Sequence, residues 1–440
     1  MAKFKIIGGS ITSPQGFQAA ARFCNLKKIG TGKGSNKGEK KDLALIFSEA
    51  PAKAAGMFTT NQICAAPVKI CIKHLKDNSA QAVVINSGNA NACTGPKGMK
   101  DALEMTTVAA KELGLKGSNV LVASTGRIGV NLPMNPIRKG IKAIANDLKS
   151  TQHAATQTAE AIMTSDTKPK QISVEFKLGG KVVRLGGIAK GAGMIQPGMS
   201  PNGSQPVSSA SGLHATMLSF LTTDANISVG NIKKCLKEAV SKSFNSITVD
   251  GDMSTNDTVL LLANGLAGNR KLNDQDLKTF QTSLNHVCLE LAKMIVRDGE
   301  GITRVITVRI SGAKSFAEAD KAARSVGNSS LVKTSWYGGA PNWCRIIDAL
   351  GYSAAKVDEE KVDIAYSAPG SNKKVFSLKK GRPTLTSFEK LCKAVQPKEF
   401  DLHINLNIGK GNAVLYAADL TEEYVDFNKG DITDPESLGG

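Results

Sequence analysis

Aromatic residues are scarce in this chain, with five tyrosines and two tryptophans among 440 residues, too few to stack a run of unpaired bases. Cysteine and histidine are thinly spread as well. The eight cysteines (Cys24, Cys64, Cys71, Cys93, Cys235, Cys288, Cys344 and Cys392) contain no C-x-x-C pair. That argues against zinc and against a disulfide framework, and it fits a reducing compartment. The five histidines are dispersed, so no histidine-rich metal site is expected. Nothing approaches the roughly 18 consecutive apolar residues of a membrane span. The opening residues run from Phe4-Lys5-Ile6-Ile7 straight into Gly8-Gly9, with neither an apolar signal core nor an Arg/Ser-rich leader, and the expectation is a cytoplasmic protein away from membranes. There is also no G-x-S-x-G, and no Ser-His-Asp set stands out.

What the chain does have is length, glycine and positive charge. Its size suits two or three domains or one large α/β body, and 43 glycines imply many tight turns. The net charge of +18 raises nucleic acid as a partner. The lysines are spread along helical segments, however, and the cluster Lys27, Lys28, Lys33, Lys37, Lys40 and Lys41 lies among glycines in a loop. A solvated surface is the better reading, with no nucleic-acid partner.

Hydrophobic patterning alternates short β-prone runs with helical ones. Strands are predicted at Phe4 to Ile7, Leu43 to Phe47, Ala55 to Phe58, Val68 to Ile72, Ala82 to Ile85 and Val120 to Ala123. Helices are predicted at about 98–114, 134–149 and 153–164. A hairpin follows around Gly179-Gly180, and an irregular Gly/Pro/Ser-rich run covers Lys190 to Gly212. Beyond it come a strand to Leu221, helices at about 229–243 and 273–296, and strands near 258–263 and Arg304 to Ile310. Gly312-Ala313 marks the start of a smaller C-terminal lobe, spanning about 313–400, with helices near 316–326 and 342–350. The fold class is α/β (α+β).

Several stretches carry chemistry. The loop Asn86–Gly95 holds three asparagines, which either cap turns or line a polar pocket. Ser246 to Asp257 is dense in carboxylates; Asp250, Asp252 and Asp257 read as a divalent-cation cradle or as an ordinary Asp-Gly-Asp turn, and the turn is favoured. Glycines on both sides of Glu300 let the backbone present its carboxylate at a sharp turn. Lys190 puts a positive charge in a Gly-rich loop, suited to an α-carboxylate, with Glu300 suited to an ammonium group. Thr216, at the join of the irregular run and a buried strand, is either a core hydroxyl or a latent N-terminal nucleophile exposed by a cut at Ala215–Thr216. A free α-amine has a pKa of about 8 and sits beside its own hydroxyl, so an N-terminal threonine carries its own base.

The order of motifs then resembles a known family. Asn86–Gly95 (NSGNANACTG), Ser124–Gly126 (STG), Lys190–Ile195 (KGAGMI), Ala215–Leu218 (ATML), Thr248–Asp257 (TVDGDMSTND), Gly299–Thr303 (GEGIT), Pro341–Arg345 (PNWCR) and Asp419–Val425 (DLTEEYV) follow one another. The chain is similar to the glutamate N-acetyltransferase family of arginine biosynthesis, also called ornithine acetyltransferase. The resemblance implies layered sheets flanked by helices, as in N-terminal-nucleophile enzymes, and a chain that cuts itself between Ala215 and Thr216. An α chain (1–215) and a β chain (216–440) would stay together as α2β2. Thr216 would take acetyl from N2-acetyl-L-ornithine and pass it to L-glutamate by a ping-pong route. Thr125 and Gly126 would form the oxyanion hole, and Thr164, Lys190, Thr216, Glu300, Asn428 and Thr433 would bind substrate. No metal or cofactor is implied; members differ in accepting acetyl-CoA as a co-substrate. This sequence departs from the family pattern in an insertion of roughly fifteen residues between Gln196 and His214, which can loop out at modest entropic cost. An aminopeptidase or amidase on the same scaffold, or an uncleaved binding homologue, are the alternatives.

Overall fold

The computed structural model describes residues 4–27, 40–204 and 217–429. They form two compact units: one of the chain to Asn245 with Asp252–Asp298 and the residues from Asn428, the other of Ser246–Gly251 with Gly299–Phe427. Among the described residues, no helix is long and apolar enough to cross a membrane.

The first unit contains, in order, β1 (Phe4–Ile7), β2 (Phe17–Arg22), β3 (Leu43–Thr59), α1 (Ala66–His74), β4 (Ser79–Asn89), α2 (Gly95–Leu113), β5 (Val120–Arg127), α3 (Met134–Ile144), α4 (Gln152–Ala161), β6 (Lys170–Leu178), β7 (Lys181–Lys190), β8 (Met199–Ser200), β9 (Leu218–Thr223), α5 (Val229–Ser241), β11 (Thr258–Ala263) and α6 (Asp274–Arg297). The strands run β1-β6-β7-β9-β11-β3-β4-β5, with β2 and β8 also on β3. The pairs β9–β11 and β4–β5 are parallel.

One strand decides the architecture. At 17 residues β3 is long enough to carry two ladders: its last part pairs with β11 from Lys53 to Phe58, its first with β4 from Leu43 to Phe47. The start of β11 and the end of β4 thus lie at opposite ends of β3, on the order of 50 Å apart were it straight. Yet the Asn256 side chain, just before β11, donates to Ala90 O at 2.7 Å and to Ser124 O at 2.8 Å. Both hold only if β3 folds back on itself. It does so where its register with β4 shifts, between Phe47 and Ala52, around Pro51, a residue sheets tolerate at such irregularities. The result is two stacked layers. Leu218, Phe220, Leu260 and Leu262 from one layer share a core with Leu45, Val84 and Ile85 from the other. Helices α1 to α4 cover β2 to β5, and α6 lies on β6 and β7. Covered on both faces, β9 and β11 are buried throughout, and β11 reads as an almost unbroken apolar run from Val259 to Ala263.

The second unit holds β10 (Ile247–Thr248), β12 (Val305–Ala313), α7 (Phe316–Asn328), α8 (Ser330–Tyr337), α9 (Trp343–Gly351), β13 (Asp363–Ser367), β14 (Val375–Lys379), β15 (Arg382–Pro383), α10 (Phe388–Val395), β16 (Glu399–Asn405), β17 (Gly411–Ala418) and α11 (Glu422–Asn428). Its sheet order is β10-β17-β12-β16-β13-β14-β15. One face, with Ile306, Val308, Leu402 and Ile404, packs its helices; the alternate positions carry Arg309, Asp401 and His403.

The expected layering of sheets with flanking helices is observed, and most predicted elements are present. Val68 to Ile72, predicted as a strand, is the middle of α1. Pro67 stands in its first turn, and Pro67, Ile70, Cys71 and His74 make one buried helical face. Leu43 to Phe47 and Ala55 to Phe58 are one bent strand, not two. The helix predicted to 149 stops at Ile144, because Lys149 is drawn into a two-way backbone bridge with Ala19. The lobe predicted from about 313 begins at Gly299 and runs to Phe427, since β12 is central to its sheet. The irregular run after Lys190 also gains a strand, β8, paired with the end of β3 through Phe58–Ser200 and Thr59–Met199.

Gly187 permits the close approach of α6. A Cβ there would lie 2.6 Å from Leu221 Cδ2 and 2.9 Å from Leu291 Cδ1. Gly187→Val should lower unfolding free energy by about 1–3 kcal/mol through overpacking, measured by urea denaturation. Adding Leu291→Ala should recover part of that loss, because the two sites are in contact.

Candidate active site

Four predicted site residues meet in the first unit. Thr125 and Gly126 close β5, Lys190 closes β7, and Thr164 lies in the loop between α4 and β6. The fold-back of β3 brings the ends of β5 and β7 together. Lys190 Nζ donates to Thr164 Oγ1 at 2.8 Å and to Thr125 Oγ1 at 3.3 Å. A hydroxyl whose oxygen accepts from an ammonium keeps its own proton for another acceptor. Thr125 is thereby set as a donor toward developing negative charge. In the register of β7 and β9, Lys190 stands opposite Leu218, two residues beyond position 216.

Gly126 is fixed by backbone crowding. It has φ of +127°, and a Cβ there would come within 2.6 Å of Asn89 N. It pairs with Gly88 where the β4–β5 register shifts. The three loop asparagines prove to be turn-forming: Asn86 Nδ2 donates to Asn89 O at 2.9 Å, Asn89 Oδ1 accepts from Asn91 N–H at 2.8 Å, and Asn91 Nδ2 donates to Gly98 O at 2.9 Å. They shape the loop beside Gly126.

Behind Lys190 lies a buried charge network not predicted from the sequence. Because α4 stops at Ala161 rather than 164, Thr164 to Asp166 form a loop, and Asp166 becomes its hub. Its carboxylate accepts from Thr164 N–H at 3.0 Å, Gly191 N–H at 2.7 Å and Lys170 Nζ at 2.6 Å, with Lys190 Nζ at 3.8 Å. Lys170 also donates to Asp298, at the end of α6, at 2.6 Å. Asp298 in turn accepts from Thr167 N–H at 3.0 Å. Burial alone would raise the Asp166 pKa, but the Lys170 and Lys190 ammonium groups and the Gly191 N–H outweigh it, leaving the carboxyl well below its usual range. Lys170 is likewise desolvated, yet Asp166 and Asp298 hold its pKa above the ordinary value.

Lys27 turns inward. Its ammonium donates to Lys41 O at 2.9 Å and Ala161 O at 3.2 Å, and burial pulls its pKa down to about 8. Lys28, Lys33 and Lys37 of the same cluster lie outside the described residues. So do Ala215, Thr216 and Thr433. Met217 is described, and its N–H donates to Asp257 Oδ1 at 2.7 Å. No group of three or more His, Cys, Asp or Glu side chains among the described residues is arranged to hold a metal ion. The cradle considered for Asp250, Asp252 and Asp257 is divided: Asp250 belongs to the second unit, Asp252 and Asp257 to the first.

Glu300 sits in the second unit on a turn with its own clamp. Asp419 accepts from Thr303 N–H at 2.9 Å and Arg304 N–H at 3.1 Å, and Thr421 Oγ1 donates to Gly301 O at 2.5 Å. Gly301 needs its φ of +63°, and a Cβ there would strike the backbone of Glu423 and Tyr424. The acidic segment after β17 thus exists to hold the Glu300 turn. Asn428 is the exposed last residue of α11.

The network makes a signed prediction. Asp166 has a depressed folded pKa, so its stabilisation is complete above the unfolded value of about 3.9 and is lost as pH falls through the folded one. Asp166→Asn removes the carboxylate that Lys170 and Lys190 share and should cost about 3–5 kcal/mol at pH 7. Urea unfolding at a series of pH values should show that gap narrowing below about pH 4.

The sequence profile described as the ArgJ family matches residues 28–431. An arginine biosynthesis bifunctional protein ArgJ of Symbiobacterium thermophilum is 42% identical over 424 residues, covering 96% of this chain and 98% of that one. The ArgJ 1 bifunctional protein of Clostridium acetobutylicum is 45% identical, over 91% of this chain and 94% of its own. A glutamate N-acetyltransferase of Methanocaldococcus jannaschii is 43% identical, over 96% and 98%. With its STG, KGAGMI and GEGIT segments placed as described, this chain belongs to the ArgJ family.

Proposed function

We propose that this protein is a self-processing acetyltransferase of arginine biosynthesis, moving acetyl from N2-acetyl-L-ornithine to L-glutamate. The observation that carries the reading is the Lys190–Thr125 contact beside the strand that begins at Leu218. A hydroxyl donor polarised by a buried ammonium, beside the strand that starts two residues beyond Thr216, is what acyl transfer at a threonine requires. Family membership, with relatives named for the same activity, supports it.

In the cycle, the Thr216 Oγ attacks the acetyl carbon while its free α-amine takes the hydroxyl proton. The tetrahedral oxyanion is met by the Thr125 hydroxyl and the Gly126 N–H. The C–N bond breaks, the proton goes to the departing ornithine nitrogen, and acetyl remains on Thr216 as an ester. The glutamate amine then attacks that ester, and the threonine is restored. Lys190 suits the α-carboxylate of either amino acid and Glu300 an ammonium group, with Thr164, Asn428 and Thr433 as further substrate contacts. Acetyl-CoA is an optional second donor into the same ester. The mature protein would be α2β2, from chains 1–215 and 216–440.

Denaturing electrophoresis should show two fragments in place of one 46.2 kDa chain, the C-terminal one starting Thr-Met-Leu-Ser-Phe. An intact chain with native Thr216 would overturn the reading. Thr125→Ala should lower kcat for acetyl transfer by about 10²–10³ with KM little changed. Ornithine release from acetylornithine at the same rate with and without glutamate would mark a hydrolase.

A further inference from the structure

Asn256 has no place in the cycle above, yet its side-chain amide is buried and engaged at both ends. Nδ2 donates to Ser124 O at 2.8 Å and to Ala90 O at 2.7 Å, while Oδ1 accepts from the Thr255 hydroxyl at 2.5 Å. Carbonyl oxygens only accept, so the NH2 must face them and the amide has one orientation. The turn that carries it is itself pinned. Thr59 Oγ1 donates to Ser254 O at 2.7 Å, Ala65 N–H to Thr255 O at 2.9 Å and Thr59 N–H to Asp257 O at 2.9 Å. Asn256 N–H donates to Ser254 Oγ at 2.9 Å, and Thr258 Oγ1 to Asn256 O at 2.8 Å. The amide is a fixed point in the first unit.

The carbonyls it holds secure both flanks of Gly126. Ser124 lies two residues before that glycine. Ala90 lies in the neighbouring loop, and its own N–H donates to Arg127 O at 2.9 Å, one residue after the glycine. One amide thus grips the chain before Gly126 directly and the chain after it through Ala90. Between those points Gly126 holds its φ of +127°, at a residue whose backbone is intrinsically the freest. The rest of the strand offers a comparison. β5 ends its sheet, so alternate positions on its outer edge have no strand beside them. His74 Nδ1 lies 2.8 Å from Val120 O, and Cys71 Sγ donates to Val122 O at 3.0 Å. Both side chains come from α1. Asn256 is next in the series, at Ser124, but comes from the other layer and reaches across to Ala90 as well.

We propose that Asn256 is a positioning residue for the oxyanion hole: by fixing Ser124 O and Ala90 O, it sets the peptide group between Thr125 and Gly126 and so the direction of the Gly126 N–H. The proposal rests on the acetyl-transfer reading above. A donor stabilises a developing oxyanion best when it is aimed before the charge appears. Lys190 aims the Thr125 hydroxyl; Asn256 aims the neighbouring amide. Without it, two buried carbonyls lose a donor. The nearest replacement for Ser124 O is the N–H two residues on, in an inverse γ-turn. That N–H belongs to Gly126, so the hole would lose its donor to its own backbone.

Asn256→Ala tests this, with Asn256→Ser, which keeps one donor, for the same measurements where the alanine variant is insoluble. In cut protein, kcat for acetyl transfer should fall about tenfold or more, with KM for acetylornithine within about twofold of wild type. N2-thioacetyl-L-ornithine, with sulfur in place of the acyl oxygen, supplies a readout that mere destabilisation does not move. Sulfur accepts hydrogen bonds weakly, so the ratio of oxygen to sulfur rates reports the hole, and it should drop about tenfold. Cys71→Ala, which loosens the same edge two residues earlier, should lower the melting temperature and leave that ratio unchanged. A variant that stays uncut is read by amide hydrogen exchange, which should quicken at 124–127 and hold at 120–123. A wild-type ratio in the cut Asn256 variant, a ratio lowered equally by Cys71→Ala, or exchange at 124–127 no faster than in wild type would overturn the proposal. A wild-type protein that moves no acetyl from acetylornithine would instead sink the reading on which it rests.

Discussion

The fold-back of β3 is the constraint on which the first unit depends. A strand that serves two ladders must leave one sheet and enter the other, and it can turn only where its hydrogen bonding is already broken, around Pro51. Everything at the site follows from that turn. The ends of β4 and β5, with their small-residue loops, come to face the end of β7 and the starts of β9 and β11. Asn256 ties the two layers by donating to Ala90 and Ser124, so the loop after β4, the end of β5 and the start of β11 are held by one side chain.

Charge sets the second constraint. Two lysines, Lys170 and Lys190, are about 2% exposed, and buried ammonium groups persist only with partners. Asp166 and Asp298 supply them, and Asp166 also holds the Thr164 and Gly191 amides. Lys170 shares the two carboxylates, which lets Lys190 turn its hydrogens to Thr125 and Thr164. An ammonium kept dry and oriented in advance needs no reorganisation when an anionic group arrives.

Much of this was legible from residue order. The resemblance of the STG and KGAGMI segments to those of a known family located Thr125, Gly126 and Lys190, and the glycines around Glu300 marked its turn. Long-range consequences were not legible. Asp166 was visible only as the polar end of a helical pattern, because its partners come from positions 170, 190 and 191 and from a helix ending near 298. Asp257 read as part of an acidic turn, since nothing local distinguishes a carboxyl facing Met217 from one facing water. The bend in β3 was hidden for a related reason: Ser48-Glu49-Ala50-Pro51 has turn composition, and composition cannot say whether a chain reverses or only kinks. In α1 the β-branched Val68, Ile70 and Ile72 suggested a strand, but a buried stripe through Cys71 and His74 against β5 outweighed that propensity.

The place of β9 in the sheet has a consequence for the protein as an assembly. It lies between β7 and β11, bonded to both along its length. If the chain is severed between Ala215 and Thr216, one polypeptide owns β7 and the other owns β9 and β11, yet the sheet stays whole. The two pieces are then not subunits meeting at a surface but threads of a single weave. They could part only by unravelling a central strand and opening the core on both of its faces. Dissociation and unfolding become the same event, so dilution alone would not separate them.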